Sequence, residues 1–452
     1  MSKVLIITGD PIGARMAGPA IRSWNMATAL ARENEVTLVT TTNLERVDAP
    51  FGLRRIRPGE NAEFNELERW ADMIVFQGHA MNQFEVLKTT SKVVVVDIYD
   101  PMHLEMLEQG RELARATWEL RVSTATHVLN EQLALGDFFL CASERQRLFY
   151  LGQLAALGRI NPATYESDPH LRGLLDVAPF GLDATPPKHE RAVLKGVIPG
   201  IGADDKLLIW GGGLYNWFDP KSLISAVAAL AQTEPRVKLY FLGTRHPGVE
   251  EMGIVRESFE LARELGVLGS NVFFNEDWVD YAERQNYLTE ADAGVSTHMS
   301  HVETTFSFRT RILDYLWAGL PMVVTEGDSF AELVADEGLG VVVPAQDVCA
   351  LRDALARVLF DDEFATEARE NVRRVREQYF WDRTLEPLVR FAREPRHAAD
   401  FTGQRTLGNA AVGSGRKPYG LRHDVRMAWH HLRHSGLRTT FTKLRNRLIP
   451  KR

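Results

Sequence analysis

The feature that most constrains this chain is a repeated alternation of short, unbroken apolar runs with helical stretches. The first series is KVLIIT (3–8), VTLVTT (36–41), MIVFQG (73–78), VVVVDI (93–98), FFLCAS (138–143) and the weaker DVAPFG (176–181). Continuous Val/Ile/Leu runs suit strands buried on both faces, and the helices between them supply the crossovers of a parallel sheet. Within 18–32, Ile21, Trp24, Ala27 (or Thr28) and Ala31 recur at helical spacing. Residues 183–205 (DATPPKHERAVLKGVIPGIGADD) break the pattern with Pro, Gly and charge, which predicts a connector. The alternation then restarts with KLLIWGG (206–212), KLYFLG (238–243), NVFFNE (271–276), AGVSTH (293–298), PMVVTE (321–326) and GVVVPA (340–345). Two such series predict an α/β protein of two doubly wound, Rossmann-like domains, 1–183 and 206–378. Ligands in such sheets bind beyond the carboxyl ends of the strands, so the cleft between the domains is the expected site. Residues 379–394 read as a closing helix, able to pack back on the first domain, despite Pro387.

Composition narrows the class. The 452 residues are 45% apolar and 25% charged, as in ordinary globular proteins. With only Cys141 and Cys349, neither a disulfide framework nor a structural zinc site is expected, and a reducing, cytoplasmic setting fits. The opening MSKVLIITGD reads as a buried strand rather than a signal peptide, and no run reaches the ~20 apolar residues of a membrane span. The net charge of −7 is uneven. Residues 416–452 hold eleven basic side chains against Asp424 alone, a net +10, which leaves 42 basic and 59 acidic side chains, −17, in the rest. The body should repel nucleic acid and the tail should seek anionic surfaces.

Three stretches carry candidate chemistry. GDPIGARMAGP (9–19) joins the first strand to its helix, with Gly18 at the helix entry, where free N–H groups suit an anion. It lacks the G-x-G-x-x-G fingerprint, so a flexible turn is an equal reading. WGGGLYNWFDPK (210–221) follows the first strand of the second domain. Its glycines leave room for a ligand beside the backbone, and Lys221 sits at a helix start, a position that a cation avoids unless an anion lies there. A plain surface lysine is the alternative. HVETTFSFRTRILDYLWAGLP (301–321) is a polar loop running into a helix. At about 100° per residue, Phe308, Ile312, Tyr315, Leu316 and Gly319 share a buried face. Arg311 and Asp314 then lie together on another face, while Arg309 points away, so Arg311 is the better candidate to reach a ligand near Asp314. The plain alternative is an i,i+3 ion pair between Arg311 and Asp314. Glu303, with Thr304, Thr305 and Ser307, is placed to cap the helix or to bind a polyhydroxylated ligand. His79, Asp97 and Asp100 stand at strand ends, where reactive groups belong in this architecture. His298/His301 and His430/His431 have no carboxylate or cysteine pattern beside them, so no metal site is expected.

In their order, KVLIITGD…AGPAIRSWNMATAL, WGGGLYNWFDPKSLISAVAAL, FNEDWVDYAERQNYLTEADAGVSTH and LDYLWAGLPMVVT resemble the retaining GT-B glycosyltransferases of glycosyltransferase family 4, over roughly 3–394. The resemblance implies a GT-B fold and a metal-independent transfer from a nucleotide diphosphate sugar to a glycan or lipid-linked acceptor, with retention and no cofactor. It implies Asp314 as the ribose-binding acid and Glu303 as the acid at the donor sugar. Lys221, Gly18 and Arg311 (or Arg309) would hold the diphosphate, and Trp278 and Val279 would meet the base. His79 becomes a candidate near the donor sugar. Three departures accompany this assignment: Glu303 and Asp314 lie further apart than the family's two acids, so strict register puts Phe306 at the first of them. The arginine that usually accompanies the lysine falls at Gly213, and the second acid is Asp rather than Glu.

Beyond a linker at 395–420, the tail 421–452 shows two basic amphipathic patterns, Leu421/Val425/Ala428/Trp429/Leu432 and Leu437/Phe441/Leu444/Leu448. Such helices bind anionic membrane surfaces, which suggests a peripheral protein at the inner face of the plasma membrane working in envelope or exopolysaccharide synthesis. A tail folded on its own acidic body, or bound to a partner, is the alternative. A GT-B nucleotide-sugar epimerase and a catalytically degenerate GT-B scaffold are the competing functional readings.

Overall fold

The computed structural model describes residues 1–13, 16–45, 47–244, 252–277 and 279–405. The first domain holds β1 (Lys3–Thr8), β2 (Glu35–Thr40), β3 (Gly52–Arg55), β4 (Met73–Gln77), β5 (Val93–Asp97), β6 (Phe138–Cys141) and β7 (Leu175–Val177). The second holds β8 (Lys206–Trp210), β9 (Val237–Phe241), β10 (Val272–Phe274), β11 (Ala293–Ser296), β12 (Met322–Thr325) and β13 (Gly340–Val343). The sheet orders are β3-β2-β1-β4-β5-β6-β7 and β10-β9-β8-β11-β12-β13, and both are wholly parallel, for instance with Val4 beside both Val36 and Met73. This is the GT-B arrangement of two doubly wound domains. Only β3 had no counterpart among the apolar runs. It is an edge strand whose residues are largely exposed, so GLRR has no need of an apolar run.

The first sheet shows why the runs are continuous. Leu5 and Ile7 enter one core with Phe76 and Val96, while Val4 and Ile6 enter another with Met26 and Leu38. Each face is covered by helices, so the successive residues 4–8 of β1 are all buried, at about 1.5–3 kcal/mol for each large side chain.

The chain then crosses back. The expected helix over 379–394 is divided into Trp381–Thr384 and Glu386–Arg393, with Pro387 in the first turn of the latter, where a missing N–H costs nothing. Leu385, Leu388, Phe391 and Ala392 complete the first domain's core, and Phe391 stacks on Phe138 at 4.3 Å. Residues 395–405, expected to be the start of a linker, are instead tied to the first domain. Arg405 forms a buried ion pair with Asp137 (2.6 Å) and donates to the Thr90, Lys92 and Leu135 carbonyls, while Asp400 pairs with Arg159 (2.8 Å). Asp137 also accepts from Val94 N and Ala398 N. The tail 421–452 and most of the expected linker lie outside the described residues. Among the described residues no helix is long and apolar enough to cross a membrane.

Removing one partner of a buried ion pair leaves the other charge uncompensated, typically at ~3–5 kcal/mol. Asp137→Ala should therefore lower the stability of the first domain by about that amount in urea unfolding. A loss well under ~1 kcal/mol would show that the 395–405 segment is not held as described.

Candidate active site

Both sheets point their carboxyl ends into the space between the domains. Gln146, in helix Glu144–Ala156, donates one amide to two carbonyls at 2.8 Å, Tyr99 after β5 and Phe306 after β11. Phe149 stacks on Phe306 at 4.5 Å, and Asn216 of the second domain donates to Glu112 of the first. The loops that follow β5, β8 and β11 thus line one cleft.

The stretch 301–321 folds differently from a loop leading into one helix. Residues Val302–Phe306 form a short helix capped by the His301 ring, and a second helix, Arg311–Ala318, begins after Thr310. Tyr315 anchors the second helix: its hydroxyl donates to the Val295 carbonyl (2.7 Å) and accepts from Gly211 N (2.9 Å). Gly294 makes this approach feasible, since a Cβ there would meet the Tyr315 ring at 2.4 Å. Gly319 ends the helix in the left-handed region, as the sequence Ala-Gly-Leu-Pro suggests.

The two arginines have separate fates. Arg309 makes a bidentate, buried pair with Glu303 (Nη1–Oε1 3.0 Å, Nη2–Oε2 2.7 Å). Both Glu303 oxygens are therefore occupied by Arg309. Among the described residues Arg311 has no such carboxylate. Its Nη2 donates to the Gly213 carbonyl at 3.0 Å and its Nη1 is buried without a partner. Its guanidinium lies 4.4 Å from the Trp210 ring centre and 4.0 Å from that of Phe218. Burial pulls its pKa down to about 10, still well above neutral, so it stays charged. Arg311 thus reaches the very residue, Gly213, that stands where the family resemblance would put an arginine. Gly212, with φ of +73°, turns the loop there and has open space beside it. Trp210 and Phe218, which cradle the charge, were not singled out from sequence.

Asp314 does not pair with Arg311 in an i,i+3 bridge. Its Oδ1 accepts from Arg284 Nε at 3.1 Å, and its side chain stays 30% exposed. Lys221 lies in the first turn of helix Pro220–Ala231, which Asp219 caps, and pairs at the surface with Glu257 (2.7 Å). Gly18 is the first residue of helix Gly18–Leu30, whose start has no side-chain cap, and a Cβ there would meet nothing closer than Phe180 at 3.9 Å. His79 follows β4, solvent-accessible but crowded enough that desolvation lowers its pKa. Val279 packs beside Tyr287 on the cluster around Phe273, and Trp278 lies outside the described residues. Asp97 is taken up by Arg22 (2.7 and 2.8 Å) and is part of the fold. His298 sits buried 3.5 Å from Asp328.

Comparison with known proteins fits this geometry. Residues 205–361 match the family model described as Glycosyl transferases group 1. Over that span the second domain is similar to the group 1 glycosyltransferases, and the described residues have the GT-B fold. The D-inositol 3-phosphate glycosyltransferase of Saccharomonospora viridis is 27% identical over 319 residues, spanning 66% of this chain and 70% of its own. The enzyme of the same description from Corynebacterium urealyticum is 25% identical over 201 residues, 43% of this chain and 44% of its own. Sucrose-phosphate synthase from Thermosynechococcus elongatus superposes with a TM-score of 0.63 at 16% identity, over 87% of this chain and 99% of that one. Anabaena HepE in complex with UDP-glucose gives 0.62 at 15%, over 86% and 98%.

The cleft also carries a pH signature. Burial, and next the nearby charge of Glu303, raise the Asp100 carboxyl to about 7. A raised carboxyl contributes stability that is complete below its ordinary value of 3.8 and lost as pH rises through about 7. His103, lowered to about 4 by burial, works in the opposite sense, so the diagnostic is a difference between proteins. Relative to wild type, Asp100→Asn should gain stability as pH rises from about 4 to about 8 in urea titrations, and a pH-independent difference would contradict this.

Proposed function

We propose that this glycosyltransferase transfers a sugar from a nucleoside diphosphate sugar, with the departing diphosphate held at the Gly211–Gly213 loop by Arg311. The observation that carries the reading is the buried guanidinium of Arg311, charged and, among the described residues, without a carboxylate and with Nη1 unpartnered, beside a glycine loop at the carboxyl end of β8. A charge out of water calls for an opposite charge. A leaving diphosphate supplies it as the glycosidic bond breaks, when preorganised donors have most effect. The start of helix Gly18–Leu30, which follows β1 and has no side-chain cap among the described residues, would offer its N–H groups to the diphosphate from the first domain. Asp314, at the head of helix Arg311–Ala318, takes the ribose hydroxyls, and Val279 lies toward the base.

In this reading the cationic charge comes from side chains, so the reaction runs without a metal and survives EDTA. Transfer occurs with retention, on one face of the sugar, because the leaving phosphate is placed to accept the proton of the acceptor hydroxyl. His79 stands on the acceptor side near the donor sugar. Glu303 acts through Arg309 by shaping the loop, rather than by touching sugar hydroxyls. Lys221, held by Glu257, is a secondary contributor that would have to leave that partner to meet phosphate. Similarity to D-inositol 3-phosphate glycosyltransferases and to a structure solved in complex with UDP-glucose supports the substrate class. The basic residues of 421–452 favour an acceptor at an anionic membrane surface, such as a lipid-linked glycan in envelope assembly.

UDP, GDP and ADP tested by thermal shift should yield at least one stabilising nucleotide, worth ~2.7 kcal/mol at about 100 times its Kd. Arg311→Met, which keeps the packing against Trp210 and Phe218, should weaken that nucleotide at least about tenfold, whereas Lys221→Ala should cost less. Unchanged binding to Arg311→Met would remove the diphosphate site from this loop.

A further inference from the structure

We infer that Arg284 is a positioning residue that fixes the Asp314 carboxylate for the ribose hydroxyls. The inference rests on the donor-site reading above and adds to it a residue that the sequence motifs do not single out.

Arg284 opens the short helix Arg284–Glu290, where a cation opposes the helix dipole. Its compensation is specific. Nε donates to Asp314 Oδ1 at 3.1 Å, and Nη1 donates to the Tyr281 carbonyl at 2.7 Å. The guanidinium plane is covered by two rings, with Tyr281 at 3.5 Å and Trp317 at 4.3 Å from centre to Cζ. Trp317 is itself pinned by donating its indole N–H to the Thr185 carbonyl of the connector at 2.7 Å. Arg284 is therefore held rigidly, with its side chain 12% exposed, while Asp314 is 30% exposed.

The consequence is directional. One oxygen of Asp314 is fixed by Arg284. The other, Oδ2, accepts no hydrogen bond from the described residues and belongs to the exposed part of the group. A carboxylate clamped by one oxygen offers the other in a set orientation to a pair of vicinal hydroxyls. Asp is one methylene shorter than Glu and has fewer rotamers to lose, so a fixed partner on its far side places it without further cost in entropy. The planar fork of arginine is needed for this, because one guanidinium must serve both Asp314 and the Tyr281 carbonyl.

The test uses the full chain and the nucleoside diphosphate among UDP, GDP and ADP that gives the largest thermal shift. Its affinity is measured by calorimetry against that of its 2′,3′-dideoxy counterpart. Wild type should prefer the ribonucleotide by at least about tenfold, and Asp314→Ala should abolish the preference. Arg284→Met, which keeps the hydrocarbon volume between Tyr281 and Trp317, should bring the ratio near one while leaving dideoxynucleotide affinity within about twofold. Arg284→Lys keeps the charge but not the fork and should behave like the Met variant. If Asp314→Ala loses the preference and either Arg284 variant keeps it, the donor site stands and the role assigned to Arg284 is overturned. If no nucleotide binds, or wild type and Asp314→Ala show the same ratio, the donor-site reading falls and the inference falls with it.

Discussion

A positive charge held out of water between Trp210 and Phe218 is the constraint on which the rest of the site depends. Cation–π contact of this kind returns about 0.5–2 kcal/mol, less than the desolvation of a guanidinium costs. Arg311 keeps its proton all the same, since burial brings its pKa only to about 10. Its neighbour two residues earlier shows the ordinary solution: Arg309, also near Phe218 at 4.9 Å, is neutralised by Glu303 through two short hydrogen bonds. The stretch thus carries one arginine that closes the structure and one whose charge is left over. The leftover charge is what an incoming anion would answer.

The fold puts that charge where two sheets converge. Parallel strands need long crossovers, and the loops leaving their carboxyl ends are free of the tight connections that hairpins impose. In the first domain these loops carry Asp100, His79 and the start of helix Gly18–Leu30; in the second they carry Gly211–Gly213 and the 301–310 segment. Gln146, bridging Tyr99 and Phe306, and the Phe149–Phe306 stack bring the two sets together. The return of Leu388 and Phe391 to the first core means that the chain passes between the domains twice, which limits how far they part.

Much of this was legible in the sequence, for reasons that can be stated residue by residue. Strands such as VVVVDI betray themselves because both faces are buried, and β3 escaped because an edge strand needs no apolar run. Helical periodicity set Arg309 and Arg311 on different faces, and the structure gives them different partners. What periodicity cannot reach is pairing across the chain. Arg284 lies 30 residues from Asp314, and Arg405 lies 268 from Asp137; nothing local in either sequence marks the match. Glu303 looked free because it sits among hydroxyl side chains, and its capture by Arg309 depends on a single turn of helix that the polar sequence hides. Trp210 and Phe218 read as core, which they are, and their second use as a cradle for charge appears only in three dimensions.

The most direct measurement is a crystal structure of the full chain with the nucleoside diphosphate that stabilises it best. The β-phosphate should lie beside Gly212 and Gly213, with Arg311 Nη1 within hydrogen-bond distance of a phosphate oxygen and the ribose against Asp314. A nucleotide bound elsewhere, with Arg311 still donating only to the Gly213 carbonyl, would contradict it.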